Sequence, residues 1–173
     1  MSKPTIRRQV LMGAVLLALS VIVAGLGSLA TIPSTDGGWY EDAAKVPWSP
    51  PNGLFGPAWS LLYAMIAVAG FLIWRSGYAG AGERNRARPA LTVFGVQMAL
   101  NLAWTPVFFA GYPLVGAAAW WAGMVVIVLL IVAVIVLIVS AYRHSKSAAW
   151  LLVPYLGWLL FASTLNAGII ALN

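Results

Sequence analysis

Residues 89–142 read PALTVFGVQMALNLAWTPVFFAGYPLVGAAAWWAGMVVIVLLIVAVIVLIVSAY, 54 residues without one charged side chain. Only Gly111-Tyr112-Pro113 near the middle reads as a turn. A transmembrane helix needs about 20 apolar residues at about 1.5 Å rise each, so the stretch divides into two spans joined by a hairpin. The fold class follows: an all-α integral membrane bundle with the bilayer as its solvent.

Both flanks extend the pattern. An apolar run over 10–32 follows Arg7 and Arg8 and exceeds the roughly 7 to 15 residues of a signal-peptide core. The spacing predicts a single domain over 1–173 with five spans, at about 8–32, 54–74, 89–110, 114–141 and 147–172. Between the first two lies a connection over 33–53 with Pro33, Pro47, Pro50, Pro51 and Gly37-Gly38, too polar and too broken to span. Connections this long are usually functional or disordered. Asn52 is the expected cap of the second helix, with Pro57 in its first turn. Residues 125–139 are uniformly aliphatic and are expected to face lipid. Pro106 and Pro154 read as helix kinks.

Of 173 residues, 62% are hydrophobic and 8% charged, against about a quarter charged in a soluble domain, so an aqueous fold is excluded. The formal net charge of +6 sits in the breaks between apolar runs, which points to orientation rather than to nucleic acid. The N-terminus and the second and fourth connections hold 3, 4 and 2 Lys or Arg residues, whereas the opposite side holds Lys45 alone. The N-terminus is therefore expected in the cytoplasm, with the first connection and the C-terminus outside. Lys45 with Glu41 and Asp42 reads as a solvated loop face. Without cysteine, and with His144 as the single histidine, thiol catalysis and metal clusters have no players.

Polar and large aromatic residues at membrane depth mark the candidate site. Counted from the extracytoplasmic helix ends at about 1.5 Å per residue, Trp59, Trp104 and Asn166 lie some 8 to 9 Å deep, Tyr63 and Asn101 about 13, Ala162 about 15 and Trp158 about 21. Trp158, Ala162 and Asn166 follow i, i+4, i+8 on one helix face, and Gln97, Asn101 and Trp104 form a second stripe. Two such faces beneath a Trp-rich loop make a ligand pocket, with Ala162 leaving room between large neighbours. A plainer reading has Asn101 and Asn166 tying helices together by hydrogen bonds; the two roles are compatible. Trp74, Trp120, Trp121 and Trp150 read as interfacial belt residues.

No Asp, Glu, Lys, Arg or His falls at membrane depth, which argues against an ion-coupled pump. No phosphate loop, paired carboxylates, HExxH or nucleophile triad appears, so hydrolytic chemistry lacks candidates.

Three motif groups stand in register. The first connection carries Trp39-Tyr40, Lys45, Trp48 and Pro50-Pro51, leading into Phe55-Gly56-Pro57-Ala58-Trp59 and Leu62-Tyr63. The third span carries Gln97, Leu100-Asn101, Trp104, Pro106 and Phe108-Phe109; the fifth carries Pro154-Tyr155, Trp158, Ala162 and Leu165-Asn166. In these the chain resembles the TspO/MBR family, the tryptophan-rich sensory proteins whose animal relatives are called translocator protein or peripheral benzodiazepine receptor. The resemblance implies a five-helix bundle that binds porphyrins and synthetic isoquinoline or benzodiazepine drugs beneath the first connection, which acts as a lid. Carried over by position, Trp39, Tyr40, Trp48, Trp59, Tyr63, Asn101, Trp104, Trp158, Ala162 and Asn166 would line or close that pocket. Some relatives degrade porphyrin in light, and Trp158 matches an indole implicated there. The sequence departs from the family at Ala43, where relatives often have Leu, and at Val46-Pro47, where Pro often follows Lys directly. The cholesterol-recognition segment of animal relatives follows the final Leu-Asn, whereas this sequence ends at Asn173, so no cholesterol role is expected.

The expectation is a bacterial plasma-membrane receptor for porphyrin or another hydrophobic small molecule, acting in tetrapyrrole transport or stress sensing. Porphyrin enters as ligand, with no cofactor required, lipid as neighbour and no nucleic acid as partner. The alternatives are a light-dependent porphyrin-degrading enzyme using Trp158, and a regulatory or structural partner of another membrane protein. Small residues Gly13, Ala14, Ala18, Gly25 and Ala99 favour close helix contact and admit a homodimer.

Overall fold

The computed structural model describes residues 4–78 and 85–173. Lys3 and Arg84, two of the charges that set the expected orientation, lie outside the described residues. Among the described residues, five helices are long and apolar enough to cross a membrane. In chain order the helices are α1 (Ile6–Thr35), α2 (Trp39–Asp42), α3 (Phe55–Ser76), α4 (Arg88–Thr105), α5 (Tyr112–Val115), α6 (Ala118–Tyr142) and α7 (Lys146–Leu172). A 3₁₀ turn, Asn52–Leu54, leads into α3, and a π-helical turn, Pro106–Ala110, ends α4. The spans pack as a ring, α1 on α3, α3 on α7, α7 on α6, α6 on α4, with α1 closing against α4 and the π turn.

Hydrogen bonds at the two ends fix which connections share a side. Arg8 donates to the Tyr78 hydroxyl at 3.0 Å, joining the N-terminus to the second connection. At the other end Asn173 and Ala44 exchange two hydrogen bonds, 2.9 and 3.1 Å, joining the C-terminus to the first connection. Helix starts follow local chemistry: Thr5 accepts from the Arg8 amide and Ser145 from the Ala148 amide, satisfying backbone donors that a helix leaves free.

Several expectations need correction. Pro33 lies inside α1, which continues to Thr35, because a single missing N–H is tolerated where neighbouring helices support the turn. Asn52 sits within the 3₁₀ turn and makes no side-chain cap. The turn centred on Gly111 extends through α5 to Gly116, whose φ of +62° suits glycine. Residues 125–139 do not face lipid alone: Ile127, Leu130, Val134 and Leu137 are buried, since α6 packs against both α4 and α7. Trp74 and Trp120 are buried rather than interfacial, whereas Trp121 and Trp150 are exposed. Lys45 is not simply solvated. Its ammonium donates to the Glu41 and Ala43 carbonyls and sits 4.9 Å from the Tyr40 ring, closing off α2. Among the small residues, Gly13 abuts Phe71, while Ala14, Ala18, Gly25 and Ala99 are exposed.

Candidate functional site

Two sequence features seat the first connection over the bundle. In an α-helix the Phe109 carbonyl would accept from residue 113, but Pro113 has no N–H. That free carbonyl accepts from the Ser34 hydroxyl and from the Trp39 indole, each at 3.1 Å. The second feature is Gly37-Gly38. Gly37 takes φ +69°, and a side chain on Gly38 would press into the Pro33 carbonyl and Ser34 backbone, so the chain reverses tightly off α1. Glu41 completes the reversal by accepting from the Gly37 amide at 2.8 Å. Residues 44–48 then run along α7, where Val46 fills the space that a β-carbon on Gly168 would occupy and Trp48 donates to Thr164 at 3.2 Å. The departure from the family pattern at Val46 is therefore a packing contact on α7.

Beneath this cover lies a cavity of about 690 Å³. One wall stacks Trp59 on Tyr63, centroids 5.3 Å apart, with Trp158 edge-on to Trp59 at 6.2 Å. The facing wall stacks Trp104 on Phe108, 5.5 Å and 12° apart. Ala162, Leu165, Asn166 and Ile169 complete the α7 side, and buried Tyr40 reaches in from the cover. Burial pushes the Tyr40 phenol above its usual range.

The polar atoms of the site divide into satisfied and orphaned. Tyr63 donates to Asn101 at 2.6 Å, Asn101 donates to Tyr155 at 2.8 Å, and Tyr155 donates to Gln97 at 3.1 Å, linking α3, α4 and α7. Asn166 donates to the Trp120 carbonyl at 3.1 Å, linking α7 to α6. By contrast the Trp104 and Trp158 indole nitrogens, the Ser20 hydroxyl and the Asn166 carbonyl oxygen are buried without a partner, although all four residues border the cavity. Each such atom costs about 1–3 kcal/mol when left unpaired; the Gln97 amide nitrogen and the Trp120 indole nitrogen, on residues that do not line the cavity, are unpaired as well.

Of the residues singled out in the sequence, Tyr40, Trp59, Tyr63, Trp104, Trp158, Ala162 and Asn166 border the cavity. Asn101 stands one layer behind, its oxygen accepting from Tyr63 and its nitrogen donating to Tyr155. Trp39 lies outside as well, in a cluster with Phe108, Phe109, Tyr112 and Trp120 that holds the cover down. Trp48 is on the outer face of the cover, 57% exposed. Sequence reasoning missed the whole α1 wall, including Ser20, Ala24, Gly27, Thr31 and Thr35. Its signal was available: small and hydroxyl residues recur there every three to four positions in an otherwise aliphatic span.

A family model for the TspO/MBR family matches residues 14–172. The chain belongs to the TspO/MBR family. It is 42% identical to the Tryptophan-rich protein TspO of Archaeoglobus fulgidus, covering 90% of this chain and 93% of that one. Its identity to the Tryptophan-rich protein TspO of Chlorobaculum tepidum is 34%, covering 96% and 98%. The Translocator protein of Homo sapiens is 36% identical, covering 74% of this chain and 70% of that one. TspO/MBR membership and the five apolar helices together make this a multi-pass membrane protein.

Proposed function

We propose that this protein is a membrane receptor for porphyrins and similar flat, apolar aromatic molecules, with tetrapyrrole transport or stress sensing as the consequence. In this reading it sits in a bacterial plasma membrane with the N-terminus cytoplasmic and the cover and C-terminus outside. The observation that carries it is the cavity of about 690 Å³ between two stacked aromatic walls, bordered by Trp104 and Trp158 with unpaired indole nitrogens. Small-molecule sites occupy roughly 300–1,000 Å³ and pair apolar walls with a few directional polar groups, so the volume and the lining both suit. A planar conjugated ring stacks on indole and phenol faces, and modest rotation of either indole offers it a hydrogen bond.

The test is a titration of protoporphyrin into the purified protein, followed by Trp fluorescence, and repeated with Trp158→Phe and Ala162→Leu. Saturable quenching that weakens in both variants is expected; quenching that neither change alters would overturn the assignment of this cavity. One observation favours a second reading, light-dependent porphyrin breakdown. The Trp158 ring lies 6.2 Å from Trp59, which stacks on Tyr63 at 5.3 Å, a run of oxidisable rings suited to electron transfer. Illuminated and dark incubations separate the two, and product forming at the same rate in Trp158→Phe would remove that residue from any catalytic role.

A further inference from the structure

We propose that the cavity fills sideways from the bilayer, through a gap between the outer halves of α1 and α3; this rests on the reading that its ligand is an apolar molecule that partitions into the membrane. The two helices touch at the end near the N-terminus, where Arg8 meets Tyr78, Gly13 lies against Phe71, and Gly70 lies against Leu16. Nearer the cover, α1 leaves α3. Gly27 lies against Thr105 instead, and Ser34 bonds the Phe109 carbonyl, so the upper part of α1 leans on α4 and the π turn. The helices form a V, and the cavity occupies its opening.

The rim of that opening is exposed although it borders the cavity. Val21, Gly25 and Ser28 mark the α1 edge, and Val21 is 62% exposed. Gly56, Ser60 and Ala64 mark the α3 edge at i, i+4, i+8, all small and all exposed. A β-carbon on Gly25 or Gly56 would meet nothing within 4 Å, so neither glycine is there for close helix packing. Their smallness keeps the gap wide. Over α7 and the π turn the cover is held down by the paired hydrogen bonds between Ala44 and Asn173 and by Trp39 on the Phe109 carbonyl.

A second observation lies at the apex of the V. Ser20 is 1% exposed, borders the cavity, and its hydroxyl has no partner. It lies 15 positions before the end of α1, about 22 Å along the helix at 1.5 Å per residue, close to the depth of Trp158. An unpaired hydroxyl at the inner end of a gap that faces acyl chains suits the polar edge of an otherwise apolar guest, arriving from the bilayer and sliding inward until that edge is satisfied.

Because the chain has no cysteine, a thiol at Ala24, half-buried on the cavity wall, reports access directly. Protein carrying Ala24→Cys in lipid vesicles is treated with a bilayer-dissolved pyrene maleimide or with a charged, water-soluble maleimide, each rate taken relative to that of the same reagent with a free thiol. The pyrene reagent is expected to react faster, and to slow by about tenfold when Gly56→Leu and Ser60→Leu narrow the α3 rim; Gly56→Leu alone, at a site with free space, gives a smaller slowing in the same direction. Faster reaction of the charged reagent, or a pyrene rate indifferent to the rim changes, overturns the proposal. With protoporphyrin as probe, the narrowed protein should both bind and release about tenfold more slowly, because a barrier at the rim slows passage in each direction. A weakened Kd at an unchanged binding rate would make the rim a contact surface rather than a passage. If unmodified protein binds no protoporphyrin, the receptor reading fails, while the thiol rates decide the lateral passage by themselves.

Discussion

The two halves of the bundle use the same five helices, yet the half near the second connection is solid and the half beneath the first is hollow. In the solid half, Ile73, Leu137, Ala141, Ala148 and Leu152 are completely buried, and a β-carbon on Gly70 would collide with the Phe94 ring. Aliphatic side chains of unequal size interdigitate there as in any well-packed interior. In the hollow half the large residues are flat rings that stack in pairs along each wall, so they do not reach across to one another. Pro106 and Pro113 interrupt backbone hydrogen bonding, and α1 presents serine, threonine, glycine and alanine. A membrane helix is not driven to fill such a space by the hydrophobic effect, since acyl chains are as apolar as leucine. Walls of stacked rings therefore persist around a void that a soluble core would collapse.

The contrast breaks if both halves respond alike to added volume. Gly70→Leu should destabilise the protein by about 1–3 kcal/mol, the overpacking range, while Gly25→Leu should shift stability by far less because nothing stands near its β-position. Thermal midpoints of the two variants in detergent check this, and equal losses would mean that the outer half is packed as tightly as the inner. Ala162→Phe sharpens the same point through the ligand. It should leave the midpoint near that of the parent yet cost the porphyrin complex about 1–3 kcal/mol, roughly five- to 150-fold in Kd, as the ring fills space the guest needs.

The same contrast explains what was legible in the sequence. The charge-free run over 89–142 gave two spans at once, because exclusion of charge from hydrocarbon is a composition rule that needs no packing information. Trp59, Trp104, Trp158 and Ala162 were legible for a related reason: indoles and a small residue in step on helix faces at matched depth announce a shared hollow. The role of Asn101 was not decided, because whether an amide meets a ligand or a neighbouring tyrosine depends on side-chain reach across helices. The α1 wall was passed over because its hydroxyls are individually ordinary, each able to bond its own helix backbone, as Thr31 does to Gly27. Trp120 was misplaced because interfacial depth and burial under α5 look alike in a linear reading; the stacked Tyr112 ring, 4.6 Å away, and the Trp39 ring at 5.5 Å separate them.

Asn101 joins the halves, and its removal tests whether the link is structural. Asn101→Leu keeps the volume but leaves the Tyr63 hydroxyl without its acceptor, while Tyr155 still donates to Gln97. Interhelical hydrogen bonds in membranes average about 0.6 kcal/mol and reach about 1.7, so a loss within that range is expected in the thermal or denaturant midpoint. A double-mutant cycle with Tyr155→Phe should then show coupling, and strict additivity would mean that the two side chains act independently.

The smallest effect concerns how the cover is held over the hollow half. Trp39→Phe removes one of two donors to the Phe109 carbonyl, and because Ser34 still serves that oxygen, the loss should lie near the lower end of a net hydrogen bond, about 0.5 kcal/mol. The carbonyl is available only because Pro113 carries no N–H. Pro113→Ala should therefore let the backbone compete for the same oxygen and make Trp39→Phe nearly silent. Amide hydrogen exchange over residues 39–43 reads this locally: Trp39→Phe should raise exchange in the parent and change it little in the Pro113→Ala background. An equal rise in both would show that the cover is held by the ring cluster of Trp39, Tyr112 and Trp120 alone, and that the proline has no part in keeping the hollow half closed at its top.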